Sequence, residues 1–257
     1  MLISLSHITD STVTASDGSI GSVTAAFFDD QSWAVRYLVV DAGTWLEGRE
    51  VLISPYAVRH PMDTGKDIQV SLTREQVRNS PDVDTQQPVS RQHERDYTRY
   101  YGYPYYWDGG GMWGLGTLPM LPPYAGTSTE IEVDNALRAE ENRHDDIHLR
   151  SSVKVAGYDI QATDESIGHV KDFIVDDLSW AIRYLVVDTR NWWPGGRKVL
   201  VATQWIDRID WATRTVNVKL TREQVRNSPE YEELKPVDRD YEKLLHDNYS
   251  RTGYWDS

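Results

Sequence analysis

The sequence predicts a mainly β protein that contains two copies of one small domain in tandem, and three observations support this prediction. Ile20–Asp41 matches Ile167–Asp188 at 14 of 22 positions, at a constant offset of 147. Leu72–Pro81 and Leu220–Pro229 are identical at all 10 positions. Within each copy, short runs rich in Val, Ile, Tyr and Trp are separated by turn residues, which is typical of short paired strands. A repeat of this length indicates a duplicated domain.

Turn signals divide each copy into strands. Asp17-Gly18 predicts a hairpin turn in the first copy, and Asp164-Glu165 takes its place in the second. Asp29–Ser32 and Asp176–Ser179 predict the next turn, because Asp and Ser side chains bond to their own backbone there. We therefore expect a strand on each side of both turns.

The strand predicted over Ala34–Asp41 is apolar on both faces, as is its counterpart Ala181–Asp188. A strand that is covered on one side only would alternate more cleanly between apolar and polar residues. The outer face is therefore expected to lie under a helix, the other copy or a second chain. We take this pattern as an indication of a homodimer.

Two short helices are predicted in each copy. Thr73 with Gln76, and Thr221 with Gln224, have the spacing of a capping box, and a proline follows each segment. A second helix is expected after each of these segments, because a set of residues falls there at helical spacing. These residues are Asp96, Tyr97, Tyr100 and Tyr101 in the first copy, and Asp240, Tyr241, Leu244, Leu245 and Tyr249 in the second.

The segment between the copies differs in composition. Residues 102–130 contain many Gly, Pro and aromatic residues, including Gly109–Gly111, so regular structure is not expected there. The aromatic residues Tyr103, Tyr105, Tyr106 and Trp107 form either a docking arm for a partner or a linker packed on the domains. Glu130–Arg150 reads as an acidic, solvated helix. The predicted domains are residues 1–101, an insert at 102–150, and residues 151–257.

The repeated motif resembles the PRC-barrel family. The motif reads Asp-Asp-x-x-Trp-x-[Val/Ile]-Arg-Tyr-Leu-Val-Val-Asp, with Ile-Gly-x-Val before it and Val-Leu-[Ile/Val] after it. The family includes domains of the photosynthetic reaction centre H subunit and of the small-subunit ribosome maturation factor. The resemblance covers roughly residues 5–81 and 151–229. It implies two six-stranded antiparallel β-barrels in tandem, a role in assembly or docking, and no catalytic residues to carry over.

Composition excludes several classes of function. The net charge is −13, with 40 acidic against 27 basic residues, which argues against nucleic-acid binding. The chain has no cysteine, which removes disulfides, thiolate nucleophiles and Cys-ligated metals from consideration. No apolar stretch approaches the ~20 residues that a membrane-spanning helix needs. A soluble, cytoplasmic protein without a cofactor is expected.

Two groups of residues raise the question of catalysis or metal binding. Asp29-Asp30 and Asp176-Asp177 are carboxylate pairs, but turn chemistry accounts for them, since adjacent turn residues point apart. His144 and His148 are four residues apart, a spacing that metal ions use on a helix. A solvated helix face is the alternative interpretation, and we assign no metal to it.

Trp33 with Arg36, and Trp180 with Arg183, recur in both copies. A stacking site for a ring or an anion is one interpretation. The other is a wall tryptophan beside an arginine that pairs with a nearby aspartate, and we favour it because Trp contributes so strongly to burial.

The sequence therefore predicts a non-enzymatic assembly or interaction protein with an unidentified protein partner. A bioenergetic complex and a stress response are the settings considered. The alternatives are a protein that binds a small ligand or a metal ion, and an RNA-maturation factor, which the acidic charge disfavours.

Overall fold

The computed structural model describes residues 1–60, 67–85, 89–105, 148–190, 192 and 195–256. In the first repeat the strands are β1 Leu2–Ser4, β2 Thr12–Ala15, β3 Gly18–Asp29, β4 Ala34–Asp41, β5 Glu50–Ile53 and β6 Asp67–Gln69. Its helices are α1 Leu5–Ile8, α2 Arg74–Arg78 and α3 Arg91–Tyr101.

The second repeat contains the corresponding elements, and its β12 takes the place of the isolated bridge that Val58 forms with Val70 in the first repeat. Its strands are β7 Leu149–Ser151, β8 Asp159–Gln161, β9 Ser166–Asp176, β10 Ile182–Asp188, β11 Lys198–Ala202, β12 Ile206–Asp210 and β13 Thr215–Val218. Its helices are α4 Ser152–Val155, α5 Arg222–Arg226 and α6 Arg239–Asn248. β7 corresponds to β1 at the offset of 147.

The local predictions hold at the turns and the short helices. The hairpin turn predicted at Asp17-Gly18 is displaced by one residue, to Ser16-Asp17, because Gly18 already pairs with Ala15. The Asp29 carboxylate accepts the backbone N–H groups of Gln31 and Ser32, as predicted for an Asp turn. Both capping boxes are present, at the start of α2 and of α5. These features depend on neighbouring residues, so sequence spacing is enough to predict them.

The strands form two mixed sheets, in the orders β5-β4-β3-β2-β6 and β11-β10-β9-β8-β13-β12. The pairs β2–β6 and β8–β13 are parallel, which corrects the expected all-antiparallel arrangement. Among the described residues no hydrogen-bonded pair joins the two ends of either sheet, so the predicted closed six-stranded barrels are not what the structure shows. Strand pairing is a long-range property, and the pattern within each strand does not specify it.

The first strand of each repeat pairs with the long strand of the other repeat. Leu2 of β1 pairs with Asp176 of β9, and Leu149 of β7 pairs with Asp29 of β3. The two registers are equivalent, since both partners differ by 147. The predicted acidic helix was expected to reach Arg150, but Leu149–Ser151 form a strand. The backbone groups of this strand pair with those at the end of β3, which would otherwise lack partners.

A second reciprocal contact joins the repeats at their centre. Ala34 and Ala181 form an antiparallel bridge. The N–H of Val35 donates to the carbonyl of Trp180 at 2.8 Å, and the N–H of Ile182 donates to the carbonyl of Trp33 at 2.7 Å. The buried core is continuous across this seam, where the rings of Phe28 and Phe173 lie 5.6 Å apart. The described residues therefore form one packed body.

Helices cover the outer faces of β4 and β10. Tyr37 and Val39 of β4 pack in a cluster with Tyr97 of α3. Tyr184 of β10 contacts Glu242 and His246 of α6. Of the three expected covers, a helix is the one observed, so the outer faces of these strands no longer indicate a homodimer. None of the helices in the described part of the chain has the length and apolar character needed to cross a bilayer.

Candidate functional site

The repeated arginines lie beside turn aspartates. Arg36 is buried, and its Nη2 lies 2.9 Å from the Ser32 hydroxyl and 3.8 Å from the Asp29 carboxylate. Arg183 repeats the contact with Asp176 at 3.8 Å. The guanidinium of Arg183 also stacks over the ring of Tyr254 at 4.1 Å. Both contacts match the interpretation in which each arginine pairs with a nearby aspartate.

The two tryptophans of the motif differ in exposure although their backbones match. Trp33 and Trp180 have positive φ values of 54° and 57°, a region that is uncommon for residues other than glycine. This conformation directs their carbonyls to the reciprocal hydrogen bonds at the seam. Trp180 is fully buried, whereas Trp33 is half-buried and stacks on Phe28 at 5.4 Å. The shared role of the pair is to join the repeats.

His148 does not lie on a helix, which corrects the predicted arrangement of His144 and His148. It immediately precedes β7, and its Nδ1 lies 3.6 Å from the carboxylate of Asp30. The same carboxylate accepts a hydrogen bond from Arg150 at 2.7 Å. His144 lies outside the described residues. The contacts of His148 therefore connect the start of the second repeat to a turn of the first.

Tyr103 belongs to a stack of tyrosines on the first repeat. Its ring lies 5.5 Å from Tyr101 and 5.3 Å from Tyr56, with small interplanar angles in both pairs. Burial raises the pKa of Tyr103, and it raises the pKa of Tyr101 to about 12. This packing agrees with the linker interpretation at Tyr103. Tyr105 is half-buried, and Tyr106 and Trp107 lie outside the described residues.

A buried polar network under α6 was not anticipated from the sequence. The Tyr184 hydroxyl donates to Glu242 Oε1 at 2.8 Å and lies 3.1 Å from Nε2 of His246. Arg239 neutralises the buried carboxylate, with Nη1 3.0 Å from Oε2. Nδ1 of His246 donates to the carbonyl of Thr252 at 3.0 Å, because a carbonyl can only accept. Burial lowers the pKa of His246.

The first repeat contains a reduced version of this network. Glu94 is buried and pairs with Arg91 at 3.0 Å, and the Tyr37 hydroxyl lies 3.4 Å from the Glu94 carboxylate. Thr98 occupies the position of His246. An Arg-x-x-Glu pair at an offset of 148 was a visible sequence signal for both networks. We read both as structural, since each anchors a helix on a sheet.

An apolar groove runs along the seam between the repeats, and it has a volume of about 360 Å³. Leu2 and Ile8 of the first repeat line one wall, and Tyr231 and Val237 of the second line the other. Leu234 stands at its edge and is fully exposed. No sequence signal pointed to Leu234, because a single leucine among charged residues is a common surface pattern.

The counterpart of Leu2 in the other half is more deeply buried than Leu2 itself. Leu149 corresponds to Leu2, yet it is only 3% exposed and packs with Phe27 and Val89. Leu2 is half-buried and faces the groove. A fully exposed leucine thus stands beside an open, mainly apolar groove.

Comparison with known proteins adds one match. No curated protein matches the chain. The model of the PRC-barrel domain family matches residues 151–225, which lie within the second repeat. This span runs from the end of β7 to the short helix α5 and includes the strands that carry the repeated motif. The chain therefore contains a region, residues 151–225, that matches the PRC-barrel domain.

Proposed function

We propose that the protein is a non-enzymatic interaction protein in which both repeats are PRC-barrel-type domains. The internal identity supports the extension to the first repeat, and the equivalent strand registers of the two halves agree with it. The groove with exposed Leu234 carries the functional part of the proposal. It is the docking surface for a protein partner.

The residues that suggested other chemistry are engaged elsewhere. Arg36, Arg183, Trp33 and Trp180 contact the turn and the seam, and Tyr103 packs on the first repeat. Such contacts hold a scaffold together. The groove differs from them because its apolar walls have no cover among the described residues.

The test is a quantitative pull-down of the tagged full-length chain from its native cells, at physiological salt. Leu234→Lys places a charge at the groove edge, and Leu244→Lys is the matched control because Leu244 is 58% exposed on α6, outside the groove. Burying one leucine contributes about 1.5–3 kcal/mol, so recovery of the partner by Leu234→Lys should fall roughly tenfold or more.

The control variant should recover the partner as well as the native chain does. Equal recovery by both variants would contradict the docking role of the groove. Circular dichroism of each purified variant checks that the fold is intact.

A further inference from the structure

We infer that the occupant of the groove is a second copy of this chain, which inserts Leu234 into it while presenting its own groove in return. This inference rests on the proposed function and names the partner for that same surface. The homodimer expected from the sequence is thus placed at the seam groove, and not on the outer faces of β4 and β10, which helices cover.

The patch is self-complementary in shape. A two-fold interface brings the same surface of each subunit together, so a projection and its receptor must both lie on that surface. Leu234 is the projection, at 100% exposure, and it sits on the wall of the groove itself. The groove walls are aliphatic and aromatic, and its volume of about 360 Å³ leaves room for a leucine side chain.

The charges on the rim also favour a second copy. Each chain carries −13, so two copies repel each other over most orientations. Two charged side chains of opposite sign lie on the groove wall, Glu233 and Lys235, and both are already paired within the chain. Glu233 bonds to Lys198, and Lys235 lies 2.6 Å from Glu232. The patch is therefore locally neutral, and two copies can approach there with the least repulsion.

The two-fold contact accounts for a dimer as the assembly. Position 86, which corresponds to Leu234, is glutamine, so the first repeat lacks the leucine that the inserted contact needs. A self-complementary patch that pairs with its own copy closes on itself in a dimer.

The molar mass of the purified full-length chain tests the inference directly, by light scattering at about 50 µM, well above a micromolar Kd. The native chain and Leu244→Lys should have twice the mass of a single 29.5 kDa chain. Leu234→Lys should be monomeric. Raising NaCl from about 0.05 M to about 0.5 M should strengthen the dimer, because salt screens the repulsion between two acidic chains.

The absence of cysteine from the chain allows a second measurement that locates the contact. Leu234→Cys and His7→Cys are purified separately, mixed and oxidised, since His7 is exposed on the groove wall. A disulfide-linked dimer should form in this mixture. A mixture of Leu244→Cys with His7→Cys should remain uncrosslinked.

The outcomes separate the inference from the proposed function. A monomeric native chain, or a dimer that persists in Leu234→Lys, would overturn the inference. If the native chain is monomeric and Leu234→Lys still loses a different protein in the pull-down, the groove docks another partner and the proposed function stands. If neither mass nor recovery depends on residue 234, both fail.

Discussion

Each repeat has its own sheet with a short and a long helix after it, but the two repeats differ in how the longer helix packs on the sheet. Under α3 of the first repeat, Tyr97 supplies the aromatic ring, and its hydroxyl bonds to Leu52 and Ser54. Under α6 of the second repeat, Leu245 takes the place of Tyr97. The large aromatic side chain between helix and sheet is instead Trp205, whose ring lies 5.0 Å from that of His246.

This difference shows which parts of a duplicated domain are constrained. The turns, the capping boxes and the seam contacts match in both repeats, because each repeat depends on them for its own backbone bonds and for its contact with the other. The layer between helix and sheet is free to change, provided that its volume is conserved and its polar groups are paired.

Removing the aromatic contact at the seam should have the largest effect. Phe28→Ala deletes a fully buried ring that contacts Phe173 of the other repeat, and such truncations cost about 3–5 kcal/mol. Because the core is continuous, we expect one urea-unfolding transition, with the same midpoint by far-UV circular dichroism and tryptophan fluorescence, shifted to lower urea in the variant. Two separate transitions would show that the repeats unfold independently.

Removing one hydroxyl from each network should have an intermediate effect and should distinguish the repeats. Tyr184→Phe removes a 2.8 Å bond to the buried Glu242 carboxylate and a contact with His246, whereas Tyr37→Phe removes a 3.4 Å contact with the Glu94 carboxylate. A hydrogen bond to a charged group contributes about 1.5–3 kcal/mol, and the longer contact of Tyr37 is the weaker of the two. Urea denaturation should therefore give a larger loss of unfolding free energy for Tyr184→Phe, and equal losses would argue that the two networks are equivalent.

The smallest effect is expected from pH. Burial lowers the pKa of His246, so the unfolded chain binds this proton more readily than the folded one. The free energy of unfolding should consequently decrease as the pH falls below about 6.5, by at most about 1.4 kcal/mol per pH unit from this group. His246→Thr, which copies Thr98 of the first repeat, should reduce that slope.

His93 of α3 provides the comparison in the other repeat, because burial lowers its pKa as well. His93→Thr should leave the contribution of His246 in place, so the double variant should have the smallest slope. Urea denaturation at several pH values between about 5 and about 8 measures all four proteins. If the pH dependence of the unfolding free energy is the same in His246→Thr as in the native chain, His246 is not its source.

The sequence by itself determined the local structure and the existence of a repeat. The Asp29 turn, the capping boxes at Thr73 and Thr221, and the strand Ala34–Asp41 all form as predicted. Each of these depends on residues a few positions apart, whose side chains bond to or pack on their own neighbourhood. The PRC-barrel resemblance of residues 151–225 was likewise visible in the sequence.

Only the tertiary structure decided which strands pair and which surfaces stay open. The exchange of β1 and β7 between the repeats joins residues more than a hundred positions apart, and nothing in the pattern of Leu2–Ser4 or Leu149–Ser151 specifies a partner strand. The groove results from that exchange, because Leu2 and Val237 meet only once β1 lies against the second repeat. The docking role proposed for Leu234 depends on this groove, since the leucine is exposed beside its wall.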